Sequence, residues 1–365
     1  MSQKNNVVIA GGGTGGHLFP GVALAEVLVK KGYFPLFVGT KQGIEARVIP
    51  SLGYQLYTIV VRGVKGKSIL SRLWGYFLLP FALLQSLWLL IKLRPAFVVG
   101  VGGYASFPIV FLASLLRIPT VLLEQNAIPG LSNRWLSKRA GLIFTSFPQA
   151  SMYFPKDKVR CYGNPIRSSL ERKSNDRPQN RPLQILVLGG SLGAHAINET
   201  VAKLVELLVA QNKLHLFYIT HQCGLTDAAL LQEKYQSMGV LSHVVATAFI
   251  DDMAKAYSQA DFVIARAGAT TLAELTYVGL PALLIPYPWA ADDHQTHNAK
   301  WLEENGAAKL FSQKELTAQM LFDELLRLVE NPLVLQRMSQ ASFALGQKDT
   351  AVRIVDEIER RCSVQ

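Results

Sequence analysis

Short apolar runs of three to six residues alternate with helix-length stretches along the whole chain. In the first half the runs fall at residues 7–10, 36–38, 97–101, 120–123 and 142–145. In the second half they fall at 184–188, 214–219, 244–246, 262–265 and 282–285. Strands this short, bounded by Gly, Pro and Asn and separated by helical segments, read as βαβ units with parallel sheets. The pattern predicts an α/β chain of two Rossmann-like, doubly wound domains with a cleft between them. The charged segment 171–182, which carries Asn175, Pro178, Asn180 and Pro182, reads as the linker region. Small molecules bind such sheets outside the carboxyl ends of the strands, so the residues that follow each run are the candidates for chemistry.

One helical stretch departs from the pattern. Residues 73–91 contain no charge over 19 positions, long enough to span a bilayer. A span would put the strand at 97 on the opposite side from the strand at 7 and split one sheet across the membrane, which rules spanning out. Two readings stay open. The helix is buried against the sheet, or it lies at an interface with Trp74, Phe77, Leu78, Phe81 and Trp88 exposed. In the second case Arg62, Lys65, Lys67, Arg72, Lys92 and Arg94 would meet lipid head groups. Charge favours at least partial membrane contact. The 365-residue chain carries a net +11, yet residues 1–160 hold 18 Lys/Arg against 4 Asp/Glu, so the second half is slightly acidic. A one-sided excess implies an anionic partner for the first half. The three cysteines, Cys161, Cys223 and Cys362, form no C-x-x-C pair, which argues against a disulfide framework or a zinc site and fits a reducing compartment. The polar first six residues and the short run after them do not form a secretory signal.

Three glycine loops follow strand candidates: Gly11-Gly12-Gly13-Thr14-Gly15-Gly16-His17, Gly100-Val101-Gly102-Gly103-Tyr104-Ala105-Ser106 and Gly189-Gly190-Ser191-Leu192-Gly193-Ala194. Glycine lets the backbone approach a phosphate, and the helix that follows offers N–H groups and a positive dipole end. The first loop also satisfies G-x-G-x-x-G. A dinucleotide enzyme would need an acid at the end of the second strand, and no carboxylate appears there until Glu45. His17 is a candidate base or anion contact. The stretch Arg266 to Glu274 follows a strand and opens a helix. Its amides suit a diphosphate, and Glu274 suits a ribose. Asp251-Asp252 and Asp292-Asp293 lack a third ligand at suitable spacing and read as helix caps, so neither metal nor cofactor is expected.

Taken in order, these segments resemble one family of glycosyltransferases, the MurG family of peptidoglycan synthesis. The resemblance rests on Gly12 to His17 with Phe19-Pro20, Gly102-Gly103-Tyr104, Glu124-Gln125-Asn126, Gly163-Asn164-Pro165-Ile166-Arg167 and Gly189-Gly190-Ser191. It continues through Phe249-Ile250-Asp251-Asp252-Met253, Arg266 to Glu274, Gly279-Leu280-Pro281-Ala282, and Asp293-His294-Gln295 with Asn298-Ala299, and spans about residues 7–310. It implies a GT-B fold and an inverting transfer of N-acetylglucosamine from UDP-GlcNAc. The acceptor would be the 4-hydroxyl of undecaprenyl-diphosphate-MurNAc-pentapeptide, so that lipid I becomes lipid II. The protein would work peripherally on the cytoplasmic face of the bacterial inner membrane, beside other cell-wall synthesis proteins. The implied organisation is an acceptor and membrane-side domain at 1–163, a UDP-GlcNAc domain at 164–345 and a C-terminal helix at 346–365 that packs back on the first domain. Donor contacts, the substrate-binding residues, carry over to Thr14, Gly15, Gly16, Asn126, Arg167, Ser191, Ile250, Ala269, Thr270, Thr271, Leu272, Ala273, Glu274 and Gln295. His17 matches the histidine taken as base or acceptor contact, and Glu124 is the second candidate base or else the holder of the loop that presents Asn126. Leu123 stands where the family often has His, and Leu192 where it often has Gln; the latter leaves backbone amides to meet the diphosphate.

Two other classes are weighed against this one. A UDP-sugar epimerase would share the architecture, but a soluble substrate does not explain the basic half or segment 73–91. A nucleic-acid binder would explain the charge but not the glycine loops, and no nucleic-acid motif is present.

Overall fold

A computed structural model of the chain describes residues 5–61, 69–171, 181–190 and 193–362, with side chains in segment 69–93 from Phe77 onward. The contacts divide it into two compact units, Met1–Ser168 with Asp349–Gln365, and Ser169–Lys348. Most of the linker segment 171–182 falls outside the described residues.

The first unit is built on a parallel sheet of seven strands: β1 (Asn6–Ala10), β2 (Phe34–Gly39), β3 (Gln55–Thr58), β4 (Phe97–Gly100), β5 (Thr120–Glu124), β6 (Leu142–Thr145) and β7 (Val159–Cys161). Their order is β3-β2-β1-β4-β5-β6-β7, so the chain winds outward from β1 to one edge and then from β4 to the other. The connecting helices are α1 (Gly15–Lys30), α2 (Glu45–Ser51), α3 (Ile69–Leu93), α4 (Ser106–Leu115) and α5 (Leu131–Leu136). Successive strand residues face opposite sides, and both sides are apolar. Val7 and Ile9 pack with Leu18, Leu24 and Leu28 of α1, whereas Val8 and Ala10 pack with Leu89, Leu90 and Leu93 of α3 and with Ile109 of α4.

The second unit holds a parallel sheet of six strands: β8 (Leu183–Leu188), β9 (Phe217–Gln222), β10 (Val244–Thr247), β11 (Phe262–Ala265), β12 (Ala282–Leu284) and β13 (Ala308–Leu310), in the order β10-β9-β8-β11-β12-β13. Its helices are α6 (His195–Ala210), α7 (Ala228–Ser237), α8 (Met253–Gln259), α9 (Ala269–Val278), α10 (His294–Glu304), α11 (Ala318–Glu330) and α12 (Pro332–Leu345). The chain then returns to the first unit as α13 (Thr350–Cys362), whose Ile354, Val355 and Ile358 are buried in the same cluster as α1.

Three strands lack a matching apolar run in the sequence. β3 (QLYT), β7 (VRC) and β13 (AKL) are edge strands, only partly buried. An edge strand needs less apolar surface than a central one, so its sequence signal is weak. The run at 214–219 also begins late: Leu214–Leu216 is a 3₁₀ turn, and β9 starts at Phe217.

α3 combines features of both readings of segment 73–91. Ala82, Ser86, Leu89, Leu90 and Leu93 are buried, while Phe77, Phe81, Leu84, Trp88 and Ile91 are exposed. These two sets lie on different faces at helical spacing, so the helix is anchored to the sheet by one stripe and presents a second apolar stripe outward. Among the described residues no helix is long and apolar enough to cross a membrane. Arg62, Lys65 and Lys67, and the side chains of Arg72 and Trp74, lie outside the description.

Candidate functional site

In the first unit the strand ends β1, β4 and β5 bring together three segments far apart in sequence. The loop after β1 and the loop after β4 interlock. Gly103, at φ 80°, sits so close to the first loop that a Cβ there would lie 2.5 Å from the Gly12 carbonyl oxygen. Only glycine accepts both the left-handed backbone and the approach. His17, in the first turn of α1, packs its imidazole over Gly102, where a Cβ would come within 2.7 Å of Nδ1.

The third segment supplies Gln125, which in sequence stands out only as the middle of Glu124-Gln125-Asn126. It is buried and spans two loops: its Nε2 donates to the Val101 carbonyl at 3.0 Å, and its Oε1 lies 3.0 Å from His17 Nδ1. A carbonyl can only accept, so the amide nitrogen must face Val101 and the amide oxygen must face the histidine. Nδ1 therefore carries the proton, and Nε2 holds the lone pair. Burial lowers the His17 pKa below its ordinary value, against the raising effects of Gln125 and the Val101 carbonyl. The imidazole is thus neutral at pH 7 and presents an acceptor nitrogen, as a general base requires.

Glu124 is engaged differently. Its Oε1 accepts the Asn126 N–H at 3.0 Å, and its Oε2 accepts the Gly130 N–H at 3.0 Å and Asn133 Nδ2 at 2.9 Å. Burial raises its pKa, opposed by these hydrogen bonds. A carboxyl group that holds both ends of its own loop has its acceptor capacity directed inward. This geometry suits a holder of the loop that carries Asn126. Thr14 is the N-cap of α1, and Gly15 and Gly16 are its first residues. Arg167 belongs to the first unit, where its guanidinium lies 5.0 Å from the Phe19 ring centroid. The preceding segment is tied to β6 through Gly163 N–H and the Thr145 carbonyl, which keeps residue 167 with the first sheet although the sequence reading places it in the domain at 164–345.

The glycine loop after β1 is not a plain phosphate cradle. Glu45 accepts the Gly13 N–H at 2.7 Å, so one amide of that loop already binds a carboxylate of the chain.

In the second unit, α9 begins directly after β11, with Gly268 as N-cap and Ala269, Thr270 and Thr271 in its first turn. The first N–H groups of a helix have no intrahelical carbonyl to meet, and together with the dipole they favour an anion. Leu272 is buried in the core and offers the site its backbone alone, while Ala273 is partly exposed. Glu274 is buried one turn further on, and its Oε2 accepts the Tyr257 hydroxyl at 2.9 Å. Tyr257, on α8, is itself buried, so the carboxylate is oriented from a neighbouring helix. Arg266 donates to the Ile285 and Pro286 carbonyls at 3.1 Å and to Gln313 at 2.6 Å, and its guanidinium lies over Tyr287. It braces the loop after β12. Gln295 on α10 accepts the Tyr287 N–H at 2.9 Å, and Asn298 donates to the Ala267 carbonyl at 3.2 Å. Ser191 and Leu192 of the third glycine loop lie outside the described residues. Just after that loop, His195 Nδ1 lies 3.0 Å from Asp227, whose hydrogen bond raises the imidazole's pKa.

Asp252 caps α8, accepting the Lys255 N–H at 2.9 Å, which is the capping role its position suggests. Ile250 borders a cavity of about 240 Å3 that runs along α8 and the β8 and β9 face. Gln184 and Gln259 also line it, and no residue of α9 does.

Residues 7–145 match the glycosyltransferase family 28 N-terminal domain, and residues 184–354 match the glycosyltransferase family 28 C-terminal domain. A protein of Myxococcus xanthus (strain DK1622) is 44% identical over 354 residues, covering 96% of this chain and 91% of its own. One of Anaeromyxobacter sp. (strain Fw109-5) is 46% identical over 363 residues, covering 97% and 94%. Both are named UDP-N-acetylglucosamine--N-acetylmuramyl-(pentapeptide) pyrophosphoryl-undecaprenol N-acetylglucosamine transferase. The crystal structure of Acinetobacter baumannii MurG superposes with a TM-score of 0.78 at 32% identity, over 98% of this chain and 99% of that one. A UDP-GlcNAc 2-epimerase from Neisseria meningitidis, solved with UDP-GlcNAc bound, reaches a TM-score of 0.66 at 14% identity and shares the fold alone. The two Rossmann-like units are those of the GT-B fold.

Proposed function

The chain belongs to glycosyltransferase family 28, among its MurG members, and we propose that it transfers N-acetylglucosamine from UDP-GlcNAc to the 4-hydroxyl of undecaprenyl-diphosphate-MurNAc-pentapeptide with inversion. The observation that carries this reading is the half-buried, neutral His17 held by Gln125 with Nε2 as its acceptor nitrogen. Nε2 takes the proton of the muramyl hydroxyl as the oxygen attacks the anomeric carbon. The sugar gains positive character and the UDP diphosphate gains negative charge as the glycosidic C–O bond to UDP breaks. Amides in the first turn of α9 stabilise that leaving group, and Glu274 binds the ribose hydroxyls. Thr14 to Gly16, Asn126, Arg167, Ser191, Ile250 and Gln295 complete the donor contacts. The test is incubation with UDP-GlcNAc and a soluble analogue of the lipid-linked acceptor. A disaccharide and one UDP per transfer are expected. Epimerised UDP-sugar formed without acceptor, and no disaccharide, would reject the transferase reading.

The protein works, on this reading, at an anionic membrane surface where the lipid-linked acceptor resides. Support comes from the outward stripe of α3, with Phe77 62% and Trp88 58% exposed. Lys92 lies 4.6 Å over the Trp88 ring. On the neighbouring helices Leu115, Leu116 and Trp135 are also exposed, next in sequence to Arg117 and Arg134. Apolar side chains rimmed by cations suit the boundary between acyl chains and anionic head groups. Co-sedimentation with anionic vesicles is expected at low salt and should weaken with added salt as screening shortens the reach of the charge. Phe81→Ser with Trp88→Ser should weaken it further at unchanged circular dichroism, because both side chains point away from the core. Wild-type protein that stays in the supernatant at low salt would refute the docking surface.

A further inference from the structure

Glu45 is a buried carboxyl group that the proposed chemistry leaves unused. It opens α2 and is 1% exposed. Its Oε2 accepts the Gly13 N–H at 2.7 Å, and its Oε1 accepts both the N–H and the hydroxyl of Thr40 at 2.8 Å. Thr40 Oγ1 in turn accepts the Gly43 N–H at 3.1 Å. Glycines from three segments make room for it: a side chain at Gly12, Gly39 or Gly43 would collide with the carboxyl group. A carboxylate withdrawn from water is stable only when its lone pairs are met, and donors from the ends of β1 and β2 meet these.

We propose that Glu45 is the positioning residue of the loop that carries Thr14, Gly15, Gly16 and His17. The inference rests on the reading of the first unit as the acceptor side. In a nucleotide-binding loop of this shape the amides face a phosphate from outside. Here the chain supplies its own anion to the Gly13 amide from inside. Two consequences follow. The loop is fixed before substrate arrives, which holds His17 at its place over Gly102. A second anion at Gly13 would also meet like charge at close range, so this amide is reserved for Glu45 and leaves substrate to the residues from Thr14 onward.

The experiment is steady-state kinetics of full-length Glu45→Gln with UDP-GlcNAc and a soluble acceptor analogue, together with UDP calorimetry. Glutamine fills the same space but turns an amide N–H toward Gly13 or Thr40, setting donor against donor. Misplacement of a reacting group by an ångström costs up to about 100-fold, so a fall of at least about tenfold in kcat over acceptor KM is expected. UDP affinity should stay within about twofold, because its proposed contacts at α9 lie in the other unit. A space-filling role would be rescued by glutamine, so wild-type kinetics in this variant overturn the proposal, as does an equal loss of UDP affinity. If Glu45→Gln fails to fold by circular dichroism, Thr40→Val is the milder variant, since it deletes one donor to the same carboxyl group. It should raise acceptor KM at unchanged UDP affinity, and unchanged acceptor KM overturns the proposal equally. Absence of transfer by the wild type would instead refute the transferase reading on which the inference rests.

Discussion

His17→Ala is expected to lower kcat by at least about 100-fold while leaving UDP-GlcNAc binding nearly intact. A placed general base contributes roughly 10²–10⁴-fold. The size of the loss follows from how completely the structure prepares this residue. Gln125 Oε1 accepts the hydrogen bond from Nδ1–H and its amide is fixed by the Val101 carbonyl, so Nε2 is the acceptor nitrogen. Burial keeps the imidazole's pKa below its ordinary 6.5, so the neutral form prevails at pH 7 and activity should fall only as the solution is acidified through that lowered value. Gln125→Leu separates orientation from chemistry: the imidazole remains, but its tautomer is no longer fixed, and a smaller loss in kcat is expected. Single-turnover kinetics at saturating donor measure both. If kcat survives in His17→Ala and only acceptor KM rises, His17 binds the acceptor and the base is another group.

Glu274→Ala is expected to weaken UDP-GlcNAc binding by roughly 1–3 kcal/mol, about 5- to 150-fold in Kd. The substitution removes a carboxylate proposed to hold the ribose and with it the 2.9 Å hydrogen bond from the buried Tyr257 hydroxyl. Tyr257→Phe removes only the orienting bond and should cost about 1 kcal/mol or less in binding, in the range of a neutral hydrogen bond. Calorimetry with UDP and with UDP-GlcNAc reads both variants, and melting temperature reports the structural part separately. UDP affinity unchanged in Glu274→Ala would remove Glu274 from the donor site and leave it as a buried tie between α8 and α9.

The two predictions differ in how visible their residues are in the chain. Glu274 is eight residues after Arg266 on one strand-to-helix segment, so sequence order already puts it one turn past a helix start. Its partner Tyr257 comes from the preceding helix and carries no local signal. His17 is likewise legible as a histidine at the end of a glycine loop, but its protonation state depends on Gln125, 108 residues away. Glu45 was visible only as an acid too late in sequence for a dinucleotide fingerprint. Its burial among Gly12, Gly39 and Gly43 follows from the parallel pairing of β1 with β2, which brings their carboxyl ends side by side.

The amino-acid sequence by itself determined the α/β class, the central strands of both sheets and the loops at their ends. Buried parallel strands need continuous apolar runs, and tight turns into helices need glycine, and both are local demands. Tertiary structure alone decided the edge strands β3, β7 and β13, the two faces of α3, the assignment of Arg167 to the first unit and the inward use of Glu124 and Glu45. Each of these depends on which distant group fills a lone pair or covers a surface. A polar residue reads the same in sequence whether its partner is water, substrate or a backbone amide brought to it by the fold.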